Sequence, residues 1–277
     1  MLNLLLAIVS SSLVSIVMRA SEKYVKGNHG MLAVNYALCT VMAAFYCSGN
    51  LLPKAEGIGF TLGLGFCTGM IYLAGLLLVK LNIQKNGVVL TAIFQKLGLI
   101  VQVLISVVFF KEQPEVMQVV GIIICLAAVI LMNLEKGQTA IAFRLGLFLM
   151  FLNSGLCDGM SKIHEELGNP LLSEHFLLYT FGTALLLCVL LIIMKKEKFG
   201  WKDTCFGILL GVPNYFSASF LLKALNDLAA VIVFPTFSVA TVVVITLTGL
   251  LIFKEKLSKK QWIGIGMILV ALVLLNI

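Results

Sequence analysis

"FFKEQPEVMQVVGIIICLAAVILMNL" (residues 109–134) and "IFKEKLSKKQWIGIGMILVALVLLNI" (252–277) are one pattern written twice. Under a shift of 143 residues, Lys111-Glu112 falls on Lys254-Glu255, Gly121 on Gly264 and Asn133 on Asn276. Without a gap, the same shift carries Tyr36 to Tyr179, Tyr72 to Tyr215, Lys80 to Lys223, Arg19 to Lys162 and Glu22 to Glu165. A constant offset along the whole chain marks two homologous halves. We read them as 1–134 and 144–277, joined by a linker at 135–143.

Both halves are built for lipid. Of the 277 residues, 60% are hydrophobic and 12% charged, against roughly 45–50% and about 25% in ordinary soluble domains. Apolar runs long enough for a hydrocarbon core, which takes about 20 helical residues, fit ten spans: 2–21, 31–49, 58–79, 87–110, 116–134, 144–162, 174–194, 203–223, 229–253 and 259–277. The fold class expected is an all-α integral membrane protein, with the lipid bilayer as its first partner. The loops are too short for a soluble catalytic or nucleic-acid-binding domain. Five spans per half is an odd number, so the second half enters the membrane the other way round, as an inverted-topology repeat.

The net charge of +7 is a topology signal. Loops after spans 1, 3, 5, 7 and 9, counted with the residues at the span ends, take most of the 20 Lys and Arg, whereas those after even-numbered spans, counted the same way, hold only Lys54, Lys111, Lys162 and Lys223. The positive-inside rule then puts the odd loops in the cytoplasm of a cell (inner) membrane and both termini outside. The start, "MLNLLLAIVSSSLVS", lacks a basic n-region and a small-residue cleavage site, and reads as a retained first span. None of the seven cysteines has a ligand spacing, so they read as packing thiols; no metal, cofactor or catalytic residue is expected. A membrane enzyme for isoprenoid phosphates would need clustered acids or histidines, but His29, His164 and His175 are scattered.

At this point the chain resembles the drug/metabolite transporter superfamily, specifically its ten-helix members made of two EamA-type repeats. The helix ending in "FFKE" or "IFKE", the polar turn and the Gly-containing helix ending near Asn carry the likeness. So does "LLKALNDLAAVIVFPTFSVATVVVITLTGLLIFKE" (221–255), with Pro235 early in its second helix. The resemblance implies a secondary transporter working by alternating access; the superfamily's substrates run from amino acids and sugars to drugs and lipid-linked sugars. "VMRASEKY" (17–24) also resembles the end of the first helix in small multidrug-resistance proteins, where a basic residue follows eight positions after a cation-binding glutamate. Here Ser11 stands at that position, and Ser154 at its repeat mate. A drug-cation/proton antiporter of that pattern is therefore disfavoured.

Polar residues inside spans are costly, a mid-helix charge by about 2.5–3.5 kcal/mol on insertion scales, so they mark cavities or partners. In span 4, Thr91, Gln95, Gly98, Gln102 and Ser106 share one helical face, lining a cavity or tying helices together, with Lys96 beside them. The repeat mate of Lys96 is Val239, and that of Gln95 is Ser238. Tyr72, Asn214 and Tyr215 lie near mid-depth, Pro213 freeing backbone beside the last two. Ser11 and Asn153 complete the expected substrate-binding set. Arg19 and Glu22, with Asp158, Lys162 and Glu165 on the repeat-equivalent span, are gate or coupling candidates, or local i,i+3 and i,i+4 pairs.

Lys96 has three readings: it pairs with a substrate carboxylate or phosphate, it couples protons as a switching amine, or it snorkels to water. The nearest acid in depth is Asp158, about 10 Å away along parallel helix axes, too far to pair unless helices tilt or slide. The function expected is transport of a small polar metabolite, favouring an amino acid, organic acid or other anion, through a central cavity lined by spans 1, 3, 4, 6, 8 and 9. Lipid-linked sugar flipping is the rival. Spans 5 and 10, with no interior charge, are scaffold or homodimer surfaces.

Overall fold

The computed structural model describes residues 1–21, 24–25, 28–47, 50–133, 143–197, 200–251 and 259–275. Among them the regular structure is helical: α1 (Leu2–Ser21), α2 (Asn28–Tyr46), α3 (Ile58–Leu97), α4 (Leu99–Leu104), α5 (Val116–Asn133), α6 (Arg144–Leu167), α7 (Ser173–Lys195), α8 (Trp201–Asp227), α9 (Ala230–Leu251) and α10 (Lys259–Leu275). A π-helical turn, Ile105–Phe109, follows α4, and a 3-10 turn, Pro170–Leu172, precedes α7. Among the described residues, six stretches are long and apolar enough to cross a bilayer: Leu2–Ser21, His29–Tyr46, Ile58–Val79, Pro170–Lys195, Trp201–Asp227 and Ala230–Thr248. Three shorter apolar helices cover 94–109, 116–131 and 262–275. The linker expected at 135–143 lies, except for Phe143, outside the described residues, as do Glu22, Lys254-Glu255 and Asn276.

Three boundaries differ from expectation. The loop expected at 80–86 is helical, so α3 runs unbroken for 40 residues. Two of its polar residues bind protein: Asn82 Nδ2 donates to the Gly146 carbonyl (2.8 Å), Asn86 Nδ2 to the Phe143 carbonyl (3.1 Å), and Phe143 N–H donates to Asn86 Oδ1 (2.9 Å). Span 4 is not one helix. It breaks at Gly98, whose N–H bonds three residues back to Gln95 (3.3 Å), and widens to a π turn at its end. Helix α6 runs five residues past its expected end, where Lys162 pairs at i+3 with Glu165 (2.7 Å) and at i+4 with Glu166 (2.6 Å).

The helices sort into two compact units. Residues 1–73 with 160–226 form the first, and 74–159 with 227–277 the second. Neither unit is a repeat; each takes equivalent stretches from both.

In the first unit the principal helix pair is α2 with α7, which are repeat mates. They run antiparallel. His29, at the start of α2, meets Glu197, beyond the end of α7 (2.8 Å), while His175 at the start of α7 bonds the Asn50 carbonyl beyond the end of α2 (2.8 Å). Helix α8 lies on α2 where Gly207 and Gly211 face Val34 and Leu38; a Cβ at Gly207 would stand only 2.5 Å from the Val34 Cβ.

In the second unit the principal pair is α5 with α10, again repeat mates. Gly121, near the start of α5, faces Ala271 and Leu275 near the end of α10, so this pair is antiparallel too. Its core joins Cys125, Ala128 and Val129 to Ile268, Ala271, Leu275 and Val239. Antiparallel mates are what an inverted repeat requires. Glu112 of the "FFKE" stretch caps α9: its carboxylate accepts from the N–H groups of Ala230 (3.1 Å) and Val231 (2.9 Å), donors that a helix start leaves without intrahelical partners.

Candidate functional site

In the second unit, the α3–α4 junction lies against α6 because both surfaces carry glycine. A Cβ on Gly155 would collide with the Val101 side chain and the Gly98 carbonyl, and one on Gly98 with Ser154. Small residues at such a crossing let two backbones approach closely. Ser154 Oγ donates to the Gln95 carbonyl across the contact (2.8 Å). The crossing also delivers Asp158 to span 4. Gln102 Nε2 donates to Asp158 Oδ2 at 2.8 Å, and Lys96 lies in the last turn of α3, at the start of the same crossing.

Among the described residues, Asp158 is held by Gln102 rather than by an ion pair with Lys96.

Gln102 is 4% exposed, and its Oε1 is buried with no hydrogen-bond partner among the described residues. An ionised carboxylate only accepts, so Asp158 fixes the amide with Nε2 towards itself and leaves Oε1 as the free acceptor. The expected stripe is only partly kept. Thr91, Gly98, Gln102 and Ser106 are buried, but the Gln95 side chain is exposed. Asn153, on α6, donates to Cys157 Sγ (3.5 Å), and Ser238 is half-buried on α9.

The first unit holds a different arrangement around Glu174, which opens α7. Tyr215 Oη donates to Glu174 Oε2 (2.6 Å), Ser219 Oγ donates to Oε1 (3.4 Å), and Lys223 Nζ stands 3.8 Å from Oε1. Tyr215 is buried and stacks on Tyr46, the ring centroids 5.6 Å apart. Beside this group is a cavity of about 280 Å³ lined by Ser173, Glu174, Ser219, Leu222, Lys223 and Asn226, with Pro170 and Leu171 at its edge. Asn214, one residue before Tyr215, turns to α2 and donates to Asn35 Oδ1 (3.2 Å). Tyr72 meets Phe181 edge-on at 6.2 Å.

Of the gate candidates, Lys162 is buried against Glu165 and Glu166 rather than Asp158, Arg19 is exposed near the end of α1, and Ser11 is half-buried. The sequence reading missed Glu174, Ser219, Lys223 and Asn35. Glu174 follows Ser173 in the first turn of a helix, where an acid reads as favouring the helix dipole, and Lys223 reads as a loop charge. The signal available was the i,i+4 series Tyr215, Ser219, Lys223, one polar face at the end of α8.

The sequence model of the EamA-like transporter family matches residues 1–134 and again 142–277. A Haemophilus influenzae protein described as uncharacterized is 25% identical over 95% of this chain and 93% of its own length. Two shorter relatives are described as probable 4-amino-4-deoxy-L-arabinose-phosphoundecaprenol flippase subunits ArnE. The one from Hamiltonella defensa is 32% identical, spanning 37% of this chain and 96% of its own. That from Proteus mirabilis is 28% identical, over 34% and 89%. A solved crystal structure shares the fold with a TM-score of 0.76 over 99% of this chain and 94% of its own, at 15% identity. With two matches that together take in almost every residue, the chain belongs to the EamA-like transporter family and is a membrane transporter rather than an enzyme.

Proposed function

We propose that the protein moves a small polar solute by alternating access, and that Lys96, Asp158 and Gln102 bind it. The observation that carries this is the buried Gln102 Oε1, without a donor among the described residues, on the side chain that holds the Asp158 carboxylate, with the Lys96 amine on the same span. An unmade hydrogen bond of this kind costs about 1–3 kcal/mol, which a ligand N–H recovers. Asp158 beside Lys96 makes the cluster close to neutral. That favours a solute with both an acidic and an amino group, an amino acid over a simple organic acid: its anion goes to Lys96, its ammonium to Asp158 and Gln102 Oε1.

A second reading has support from the two ArnE relatives, whose stated cargo carries an amine and a phosphate. A lipid-linked aminosugar meets the same three side chains. The Lys and Arg distribution favours odd-numbered loops in the cytoplasm of an inner membrane. Purified protein in proteoliposomes tests the site. Lys96→Met is expected to abolish uptake of a labelled solute found by thermal-shift screening, while the folded protein is retained. Near-normal transport by Lys96→Met sinks the proposal, and flipping of a fluorescent lipid phosphate without uptake of any amino acid selects the second reading.

A further inference from the structure

We infer that the Glu174 cavity of the first unit is a binding site of its own, for a small zwitterion carrying a primary amine and an acidic group a few bonds apart. It shares no residue with the Lys96 cluster and stands on other observations.

The first is hydrogen-bonding capacity. An ionised carboxylate accepts at about four lone-pair positions. Glu174 Oε2 is held by the short bond from Tyr215, but Oε1 receives only a 3.4 Å bond from Ser219, with Lys223 Nζ 3.8 Å away. That separation is beyond a hydrogen bond. Lys223 is half-exposed (49%), whereas Glu174 is 23% exposed. Acid and base thus stand side by side with donors and acceptors unspent, facing a cavity that Ser173 and Asn226 also line.

The second is rigidity. Glu174 is fixed by helices rather than loops: Tyr215 is clamped between Tyr46 and Phe181 (centroids 5.6 and 6.5 Å), and Tyr179, one turn along α7, bonds the Leu51 carbonyl (2.8 Å). A group so held is pre-organised for a ligand.

The third is charge and size. A ligand that is only a cation meets Lys223, and one that is only an anion meets Glu174; each repulsion selects against it. A zwitterion alternates charges, ammonium on Glu174 and acid on Lys223. At about 280 Å³ the cavity lies just under the ~300–1,000 Å³ of drug-sized pockets, which suits a solute of amino-acid size.

The test uses the full chain in nanodiscs, in the Lys96→Met variant so that the proposed transport site is silent. The probes are L-alanine and phosphoethanolamine (amine with carboxylate or phosphate), L-alanine methyl ester (cation only) and N-acetyl-L-alanine (anion only). At least one zwitterion is expected to bind saturably and at least tenfold more tightly than the ester and the N-acetyl compound. Adding Glu174→Gln should weaken it at least tenfold. Asn226→Trp should do the same by filling the cavity mouth from an exposed position, leaving the Glu174–Tyr215 bond intact and keeping the test informative if Glu174→Gln does not fold. Absence of saturable binding by either zwitterion overturns the inference, as does binding indifferent to both added substitutions, or ester binding as tight as the zwitterion's. Transport by Lys96→Met alone reads the other proposal separately.

Discussion

Both units hold a lysine, a carboxylate and a neutral donor among apolar helices, but at different places along them. In the first, Glu174 opens α7 and Lys223 lies in the last turns of α8, with the lysine half-exposed. In the second, Lys96 and Asp158 lie inside segments flanked by apolar residues on both sides, and Asp158 is tied to Gln102. Charges at helix ends can take water as a partner. Those in a span's interior depend on one another, so the same three chemistries carry different energies in the two units.

The sharpest way to break this contrast is to remove one carboxylate at a time. Asp158→Leu leaves Lys96 without its acid, and a stability loss of about 3 kcal/mol is expected, the insertion-scale cost of a mid-span charge. Much of it should return in the double variant Asp158→Leu with Lys96→Met. Glu174→Leu should cost about 1 kcal/mol, since water and Tyr215 remain available to its neighbours. Melting temperatures in detergent measure all three; equal losses for the two acids would erase the distinction between the units.

The second test concerns how the charges come together. Gly155→Val forces apart the α4–α6 contact that brings Asp158 to Gln102, and overpacking of this kind costs about 1–3 kcal/mol. Gly63 in the first unit has nothing within 4 Å of a built Cβ. There Gly63→Ala should be neutral to slightly stabilising, by up to about 1 kcal/mol from helix propensity. A ligand-induced thermal shift lost in Gly155→Val and kept in Gly63→Ala would tie the glycine contact to the site.

The same contact marks what the sequence could and could not reveal. The two copies and the helical class were legible, because a 143-residue self-similarity and apolar runs are one-dimensional signals. That Asn82 and Asn86 would extend a helix rather than interrupt it was not, since their partners, Gly146 and Phe143, are some sixty residues away. Axial arithmetic could not find the Gln102–Asp158 bond either, since it is glycines on both sides of the crossing that let α4 and α6 approach. Glu174 was overlooked because an acid at a helix start has a local explanation that needs no distant tyrosine. Its repeat mate, Met31, is fully buried, as is Val239, the mate of Lys96. Each hub thus uses a position that the other copy fills with apolar core.

Helix capping offers a second comparison, although the second unit also has a local cap, Gln118 Oε1 accepting from Glu115 N–H (3.1 Å). In the first, caps are local: Asn169 Oδ1 accepts from Leu171 N–H (3.0 Å) and Asp203 Oδ2 from Gly200 N–H (2.7 Å). In the second, α9 is capped by Glu112 from far upstream in the chain, so the motif glutamate holds two distant segments together. Glu112→Ala should therefore cost more than loss of a local cap, about 1–2 kcal/mol, and Glu112→Gln less, because an amide oxygen still accepts. Loss of amide protection at Ala230 and Val231 in hydrogen exchange would show the damage to be at α9.

The smallest effect expected is that of Lys223→Met. Its nitrogen lies 3.8 Å from Glu174, outside hydrogen-bonding distance, and the side chain is half in solvent, where ion pairs contribute about 0–1 kcal/mol. Stability should fall by no more than about 0.5 kcal/mol, within the lower half of that range, because Tyr215 and Ser219 still donate to the carboxylate. Lys96→Met removes the amine that span 4 carries in its interior and should destabilise several times more if that amine offsets the Asp158 charge. If the two lysine losses prove equal, position along the helix does not set the energy of these charges, and Lys96 has access to water that the half-buried cluster alone does not reveal.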